Sequence, residues 1–421
     1  MARLAAGFGE VIVTPPLGVE LSGYGFYLDR RAVSVLDELK ARALYLETGG
    51  RKALLISCDL VGFTVAVAGD IRDKVSKAVA VPRQNILLAC THTHTGPATV
   101  PLAGIGDVDP GYMAALPADI CEAATKAVAD AAEAAFSYAF EALEPIGYNR
   151  RNATFDDIDP WLKTAFFERR TQDILLLSYA CHPVILGRST QVSADWPGAA
   201  VRAVEAAGRK ALVLQGFCGD IDPVTQLNRW GEGTPDDMAL YGRIVADRAR
   251  KSRCYAKTPA GVRIKTAERR IRVPLAVPPV EKIDAAAALF LEKNSGFPGA
   301  DRFAEEWKAT ARARHAGLAE EPYIDGVPIQ AVDIGGLAIL GLPGEVFSRF
   351  GLGLKKKRAS LVPVGYANGD IGYIPERQAF ADPGDYACYC APMFYTVFPF
   401  TPDIEDIITD ASLGVLRDLE R

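Results

Sequence analysis

The order of residues predicts a layered α/β fold, with a mixed central sheet flanked by helices. Three observations carry that expectation. Short leucine-rich or β-branched runs alternate with longer stretches of helical period along the 421 residues. A composition of 49% hydrophobic and 24% charged residues belongs to a chain that can bury a large core. Four apolar runs, LLACTHTHTGP, LLSYACHPV, VLQGFCGDIDP and AILGLPGEV, stop abruptly in polar residues with Gly or Pro. Ligands in α/β folds gather beyond the carboxyl ends of strands, so those exits are where an active site is expected.

Taken in order, RALYLET and KALLISCDL read as neighbouring strands joined by the turn TGGR. TVAVAGDIRDKVSKAVA reads as a helix and QNILLAC as a strand leading into His92 and His94. PGYMAALPADICEAATKAVADAAEAA reads as one long alanine-rich helix, disturbed early by Leu116 and Pro117. DILLLSYAC and ALVLQGFC follow as strands, with a helix after WPG between them. In GTPDDMALYGRIVADRARK, Thr234 is placed to cap a helix with Pro235 at its first position. From about residue 258 to 317 the character changes to a strand and two charged helices, an insertion or subdomain on the main sheet. IQAVDIGGLAILGLPG returns as a two-strand unit, and DIEDIITDASLGVLRDL closes the chain as a helix.

The bulk numbers exclude several partners. A net charge of −5 argues against an extended basic surface for nucleic acid. No apolar run approaches the roughly 20 residues of a membrane span, and the N-terminal stretch lacks an apolar leader core. A cytoplasmic protein without integral membrane association is expected, and no segment declares itself an oligomer interface. The eight cysteines form no CxxC pair and mostly sit in apolar runs; Cys388 and Cys390 alternate with tyrosine as strand residues would. A bound metal would therefore need nitrogen and oxygen ligands.

Three of the four histidines, His92, His94 and His182, stand at strand exits, whereas His315 lies in a charged helical stretch. If the strand continues through them, His92 and His94 share a side. Metal or catalytic use is the preferred reading over ordinary structural histidines. Glu345, exposed by Gly344 at a strand mouth, and Tyr373 are candidate oxygen ligands, against the plainer roles of helix-dipole partner and packing residue. The aromatic run CAPMFYTVFPFTP reads as core or interface packing, with an acyl pocket as the competing use.

The ordered set THTHTGP, NRR, ACHP, GDIDP, PGEVF and GYIPERQAFADPGDY resembles the catalytic domain of the neutral/alkaline non-lysosomal ceramidases, over essentially the whole chain. The resemblance implies one zinc ion per chain, held by His92, His182, Glu345 and Tyr373, with His94 beside the metal as proton carrier. It also implies that Arg150 and Tyr386 polarise the substrate amide, with Asp195, Asp220 and Asp222 behind the ligands or against the substrate. Asp222 stands where the family's GDVSPN motif has serine, so a serine nucleophile is not available there. Members of the family are secreted or membrane-associated and carry an additional C-terminal sandwich domain. Residues 1–421 read as the single catalytic domain without it. The expected activity is zinc-dependent hydrolysis of a linear amide in a soluble small N-acyl molecule rather than long-chain ceramide. A zinc esterase or lactonase and a non-catalytic zinc- or ligand-binding homologue are the alternatives.

Overall fold

The computed structural model describes residues 3–420. Its first sheet is built from β1 (Leu4–Ile12), β2 (Lys40–Thr48), β3 (Arg51–Cys58), β4 (Ile86–Cys90), β5 (Ala132–Ala142), β6 (Trp161–Arg169), β7 (Ile174–Ser178) and β8 (Lys210–Val213). The spatial order is β8-β7-β6-β5-β1-β2-β3-β4, antiparallel except for the parallel outer pairs β8–β7 and β3–β4. The hairpin between β2 and β3 turns at Gly49 and Gly50, both at positive φ, which suits the twist of a tight two-residue connection. A second sheet holds β9 (Ile264–Pro274), β10 (Tyr323–Ile334), β11 (Leu337–Gly341) and β12 (Leu361–Val364), with β11 and β12 parallel.

The two sheets lie face to face. Leu44, Leu55, Phe136, Phe167 and Leu176 of the first meet Val332, Ile339 and Val362 of the second in one buried cluster. Outside the first sheet, α1 (Val65–Val79) and α2 (Pro110–Ala129) cover one half, and α3 (Asp195–Glu205) and α4 (Pro235–Ser252) the other. Helix α1 shows why: Ala68, Ile71, Val75 and Val79 recur on one face and are buried, each large aliphatic worth roughly 1.5–3 kcal/mol of apolar burial. The short α7 (Ser348–Lys357) and the closing α8 (Ile404–Asp418) cover the outside of the second sheet. The expected mixed sheet flanked by helices is present, and a second, four-stranded sheet is stacked on its inner face. No described helix is long and apolar enough to cross a membrane.

Between β9 and β10 run two helices, α5 (Ile283–Asn294) and α6 (Ala300–Glu320). Phe290 and Phe303 from them enclose Phe26 and Phe394, at ring separations of 4.8–6.3 Å, in an aromatic cluster of their own. The preceding strand, Ile264–Pro274, belongs to the second sheet.

Several local readings are corrected. The alanine-rich helix stops at Ala129, and residues 132–142 are strand, because Phe136 and Tyr138 at alternate positions enter the core between the sheets. Helix α2 runs through Pro117 without ending. Tyr386–Cys390 is a wide π-helical turn rather than a strand, capped by the Asp385 carboxylate on the Cys388 amide. Thr234 does cap α4, reciprocally with Asp237.

Candidate metal centre

His92 and His94 follow β4, His182 follows β7, Asp220 and Asp222 follow β8 and Glu345 follows β11, so these candidates meet where both sheets end. Arg150, Asp195, Tyr373 and Tyr386 come from short ladders, a helix start and a π-helical turn beside them. Strand β4 stops at Cys90, and His92 then takes a φ of +68°. Strand alternation therefore does not bring His92 and His94 together, as the period-two expectation had it. A turn through a left-handed residue does, a conformation that persists only where the surroundings over-determine it. The rings meet edge to face at 4.8 Å, with their Nε2 atoms 3.1 Å apart.

The Nδ1 of His92 lies 2.6 Å from the Val61 carbonyl, and that of His182 lies 2.6 Å from the Cys218 carbonyl. A carbonyl only accepts, so each ring carries its proton on Nδ1 and turns an Nε2 lone pair inward. Glu345 is fixed by the parallel pairing of Glu345–Val346 with Tyr373–Ile374. Its Oε2 stands 3.4 Å from His92 Nε2 and 3.3 Å from His182 Nε2. Both His182 Nε2 and Glu345 Oε2 are buried without a hydrogen-bond partner.

Lone pairs so arranged repel one another unless a cation lies between them. Ligands at about 2.0–2.2 Å from a tetrahedral zinc are about 3.3–3.5 Å apart, which matches these separations. Metal-binding histidines normally give their second nitrogen to a carbonyl or carboxylate, as His92 and His182 do. Burial pushes His94 and His182 below the ordinary imidazole value, favouring the neutral form that binds metal. Burial also opposes ionisation of Glu345, but positive charge and N–H donation from His92 and His182 outweigh it and hold the carboxyl well below its usual range. With both Nε2 atoms unprotonated, a bound cation takes over that part. The residues fit a divalent cation such as zinc. The ligating atoms of His92, His94 and His182 all lie within 4.8 Å of one another, and His94 is the least buried.

The other expected residues converge here. Arg150 is not a surface residue beside Arg151: it donates to the Tyr373 hydroxyl (2.7 Å), the Gly219 carbonyl (2.8 Å) and the Asp222 carboxylate (3.1 Å). The ladder of Gly147–Asn149 against Ile221–Pro223 sets Arg150 beside Asp222. Asp220 accepts from the Asn149 amide, the Ser348 backbone N–H and the Ser348 hydroxyl, tying the Arg150 segment to α7 just beyond Glu345. Burial pushes its carboxyl up to about 7. Asp195 spends its oxygens on the Leu186 and Trp196 amides, holding the segment after His182, and burial raises it to about 6. Tyr386 is exposed, its ring edge-on to Tyr373 at 5.7 Å.

Five further residues, Tyr366, Tyr395, Asp370, Tyr24 and Gly23, were not singled out from the sequence. Tyr366 stacks on His92 at 3.9 Å. The Tyr395 hydroxyl bridges Glu345 Oε1 (3.1 Å) and Asp370 Oδ2 (3.0 Å). Tyr24 lies edge-on to His94 at 5.4 Å. A Cβ on Gly23, which has φ +79°, would come within 2.3 Å of His94 Nδ1, so only glycine allows this approach. The run CAPMFYTVFPFTP accordingly packs: Met393, Phe394 and Phe398 lie in the aromatic cluster and Tyr395 turns to Glu345.

Fold and site together define an α/β protein with a histidine–carboxylate cradle at its strand ends. No protein-family model matches the chain, and no curated protein does. Among solved structures, the neutral ceramidase from Pseudomonas aeruginosa is similar with a TM-score of 0.74 and 18% identity, over 100% of this chain and 75% of that one. A ceramidase complexed with C2 is similar with a TM-score of 0.75 and 17% identity, over 99% and 76%. The chain has the fold of the neutral ceramidases, as the ordered motifs implied.

Proposed function

We propose that this chain is a zinc-dependent amidase that hydrolyses the linear amide of a small N-acyl compound, with one zinc per chain. The observation that carries the reading is the convergence of three buried lone pairs, on His92, His182 and Glu345, at the spacing of tetrahedral ligands. The likeness to ceramidases, which by name act on an amide, supports the bond class.

His92, His182 and Glu345, with the adjoining Tyr373, would hold the metal. Zinc, when bound, supplies a Lewis acid and lowers the pKa of a coordinated water to about 7. The chain's own groups do the rest. Arg150, anchored on Asp222 and the Gly219 carbonyl, keeps its charge beside the Tyr373 hydroxyl, where negative charge on the carbonyl oxygen of the substrate is stabilised. Tyr386 stands at the open side of the same corner as a second donor. His94 Nδ1 is closed in by Gly23, so Nε2 is the nitrogen that takes a proton from the attacking water and passes it to the departing amine. Asp222 needs no nucleophilic role here; it holds Arg150.

The 3.1 Å approach of His94 Nε2 to His92 Nε2 favours a second reading, in which His94 is itself a ligand. Metal content separates the two: His94→Ala keeps one zinc per chain in the first and loses it in the second. The reading as a whole is tested with matched amides and esters of graded acyl length, offered to zinc-loaded protein. Zinc-dependent cleavage of the shorter amides is expected; cleavage of esters alone, or of neither, contradicts it.

A further inference from the structure

The corner that covers His94 carries positive charge that the protein does not neutralise. Arg30 is only 6% exposed, yet it makes no ion pair among the described residues. Its guanidinium donates to the carbonyls of Ser22, Gly23, His94 and Ser189, lies 5.2 Å from the Tyr24 ring, and leaves Nε buried without a partner. Arg188, exposed on the same side, also makes no ion pair among the described residues. Its guanidinium lies 5.8 Å from the ring of Trp230, which is 51% exposed. Burial and the nearby charge of Arg188 push Arg30 down to about 10, against the opposing pull of Tyr24.

Rings connect this corner to the cradle. Trp230 stands edge-on to Tyr24 at 6.0 Å, and Tyr24 edge-on to His94 at 5.4 Å. The neighbouring arginines are occupied: Arg31 pairs with Glu20 and Asp29, Arg229 with Asp237, and Arg150 with Asp222. The other flank of the segment is different. There a cavity of about 330 Å³ is lined by Glu20, Asp29, Asp107 and Glu306, besides Arg30 and Arg302, and repels an anion. A guanidinium without an ion pair, over the face of an indole at 5.8 Å, presents a planar fork that matches the two oxygens of a carboxylate.

We infer that the substrate bears a carboxylate remote from the cleaved bond, held by Arg188 against Trp230 with the Arg30 charge behind Tyr24. The inference rests on the amide-hydrolase reading and names its substrate class: N-acyl amino acids whose carboxylate lies several bonds from the amide nitrogen, rather than N-acyl amines with a neutral head. The product amine would leave as the free amino acid, the acyl group as its acid, with one water consumed.

The test is binding, so that it does not depend on turnover. Two ketone isosteres, with CH2 in place of the amide nitrogen, differ only in ending in a carboxylate or a methyl group. Each is titrated calorimetrically into zinc-loaded full-length protein. The carboxylate ligand is expected to bind about tenfold tighter or better, a typical gain for a charge-assisted pair, and the ratio should collapse in Arg188→Gln and shrink in Trp230→Ala. Equal binding by the wild type, or an undiminished ratio in Arg188→Gln, overturns the inference. Cleavage of amides without this preference would sink the carboxylate site alone. The preference without cleavage of any amide would sink the hydrolase reading and leave the anion site standing.

Discussion

Removing one oxygen, in Tyr395→Phe, tests how the cradle is held. The hydroxyl sits 3.1 Å from Glu345 Oε1 and 3.0 Å from Asp370 Oδ2, while the other Asp370 oxygen accepts from the Gly372 amide at 2.9 Å. Burial and the charge of Glu345 push Asp370 up to about 7, so near neutrality its carboxyl can donate to Tyr395, which donates to Glu345. That order leaves Glu345 Oε2 facing His92 and His182. A hydrogen bond to a charged acceptor is worth about 1.5–3 kcal/mol. At about 1.4 kcal/mol per decade this is at least about tenfold in affinity, within the 10–100-fold usual for residues that support metal ligands. Competition with a chromogenic chelator should therefore show zinc held about 10–100-fold more weakly by Tyr395→Phe. An unchanged zinc dissociation constant would refute the claim that Tyr395 positions Glu345.

Gly23→Ala should lower the thermal midpoint and cut amide turnover, because φ +79° costs a side chain about 1–2 kcal/mol and the new methyl group displaces His94, the proton carrier. Gly208→Ala, at φ +80° with open space around it, should share the stability loss and leave turnover unchanged. Asp159→Asn should cost about 3–5 kcal/mol at pH 7, since buried Lys163 and its neighbour Lys355 both rest on that carboxylate at 2.6 Å. Burial opposes ionisation of Asp159, yet the two lysines hold it below its ordinary value. Its contribution is therefore complete above the unfolded value of about 3.9 and lost as pH falls through the folded one. Urea midpoints of wild type and variant should converge below about pH 4; a constant gap into strong acid would contradict the assignment.

How far the sequence could be read differs by element. The strand exits were legible because each apolar run breaks into Gly, Pro and polar residues, and His182, Asp222 and Glu345 follow directly from that. Strand β6 was not, because buried Lys163 interrupts its apolar pattern and only Asp159 makes that burial tolerable. Strand β1 was hidden by its small residues, in LAAGFGEVI, and β5 by alanines that continue a helical run. Missing those three strands concealed the second face of the first sheet, and with it the stacking of two sheets. At the site, Tyr366, Asp370 and Tyr395 carry no local signal. They resemble ordinary core or loop residues, and only long-range pairing brings them to His92 and Glu345. His92 and His94 were paired for the wrong reason, since a left-handed turn replaces the expected strand.

Anomalous diffraction at the zinc edge, from crystals of protein supplied with one equivalent of zinc, tests the central claim most directly. A single peak is predicted about 2.0–2.2 Å from His92 Nε2, His182 Nε2 and Glu345 Oε2. A peak elsewhere, or those three side chains turned apart with no density between them, would contradict it.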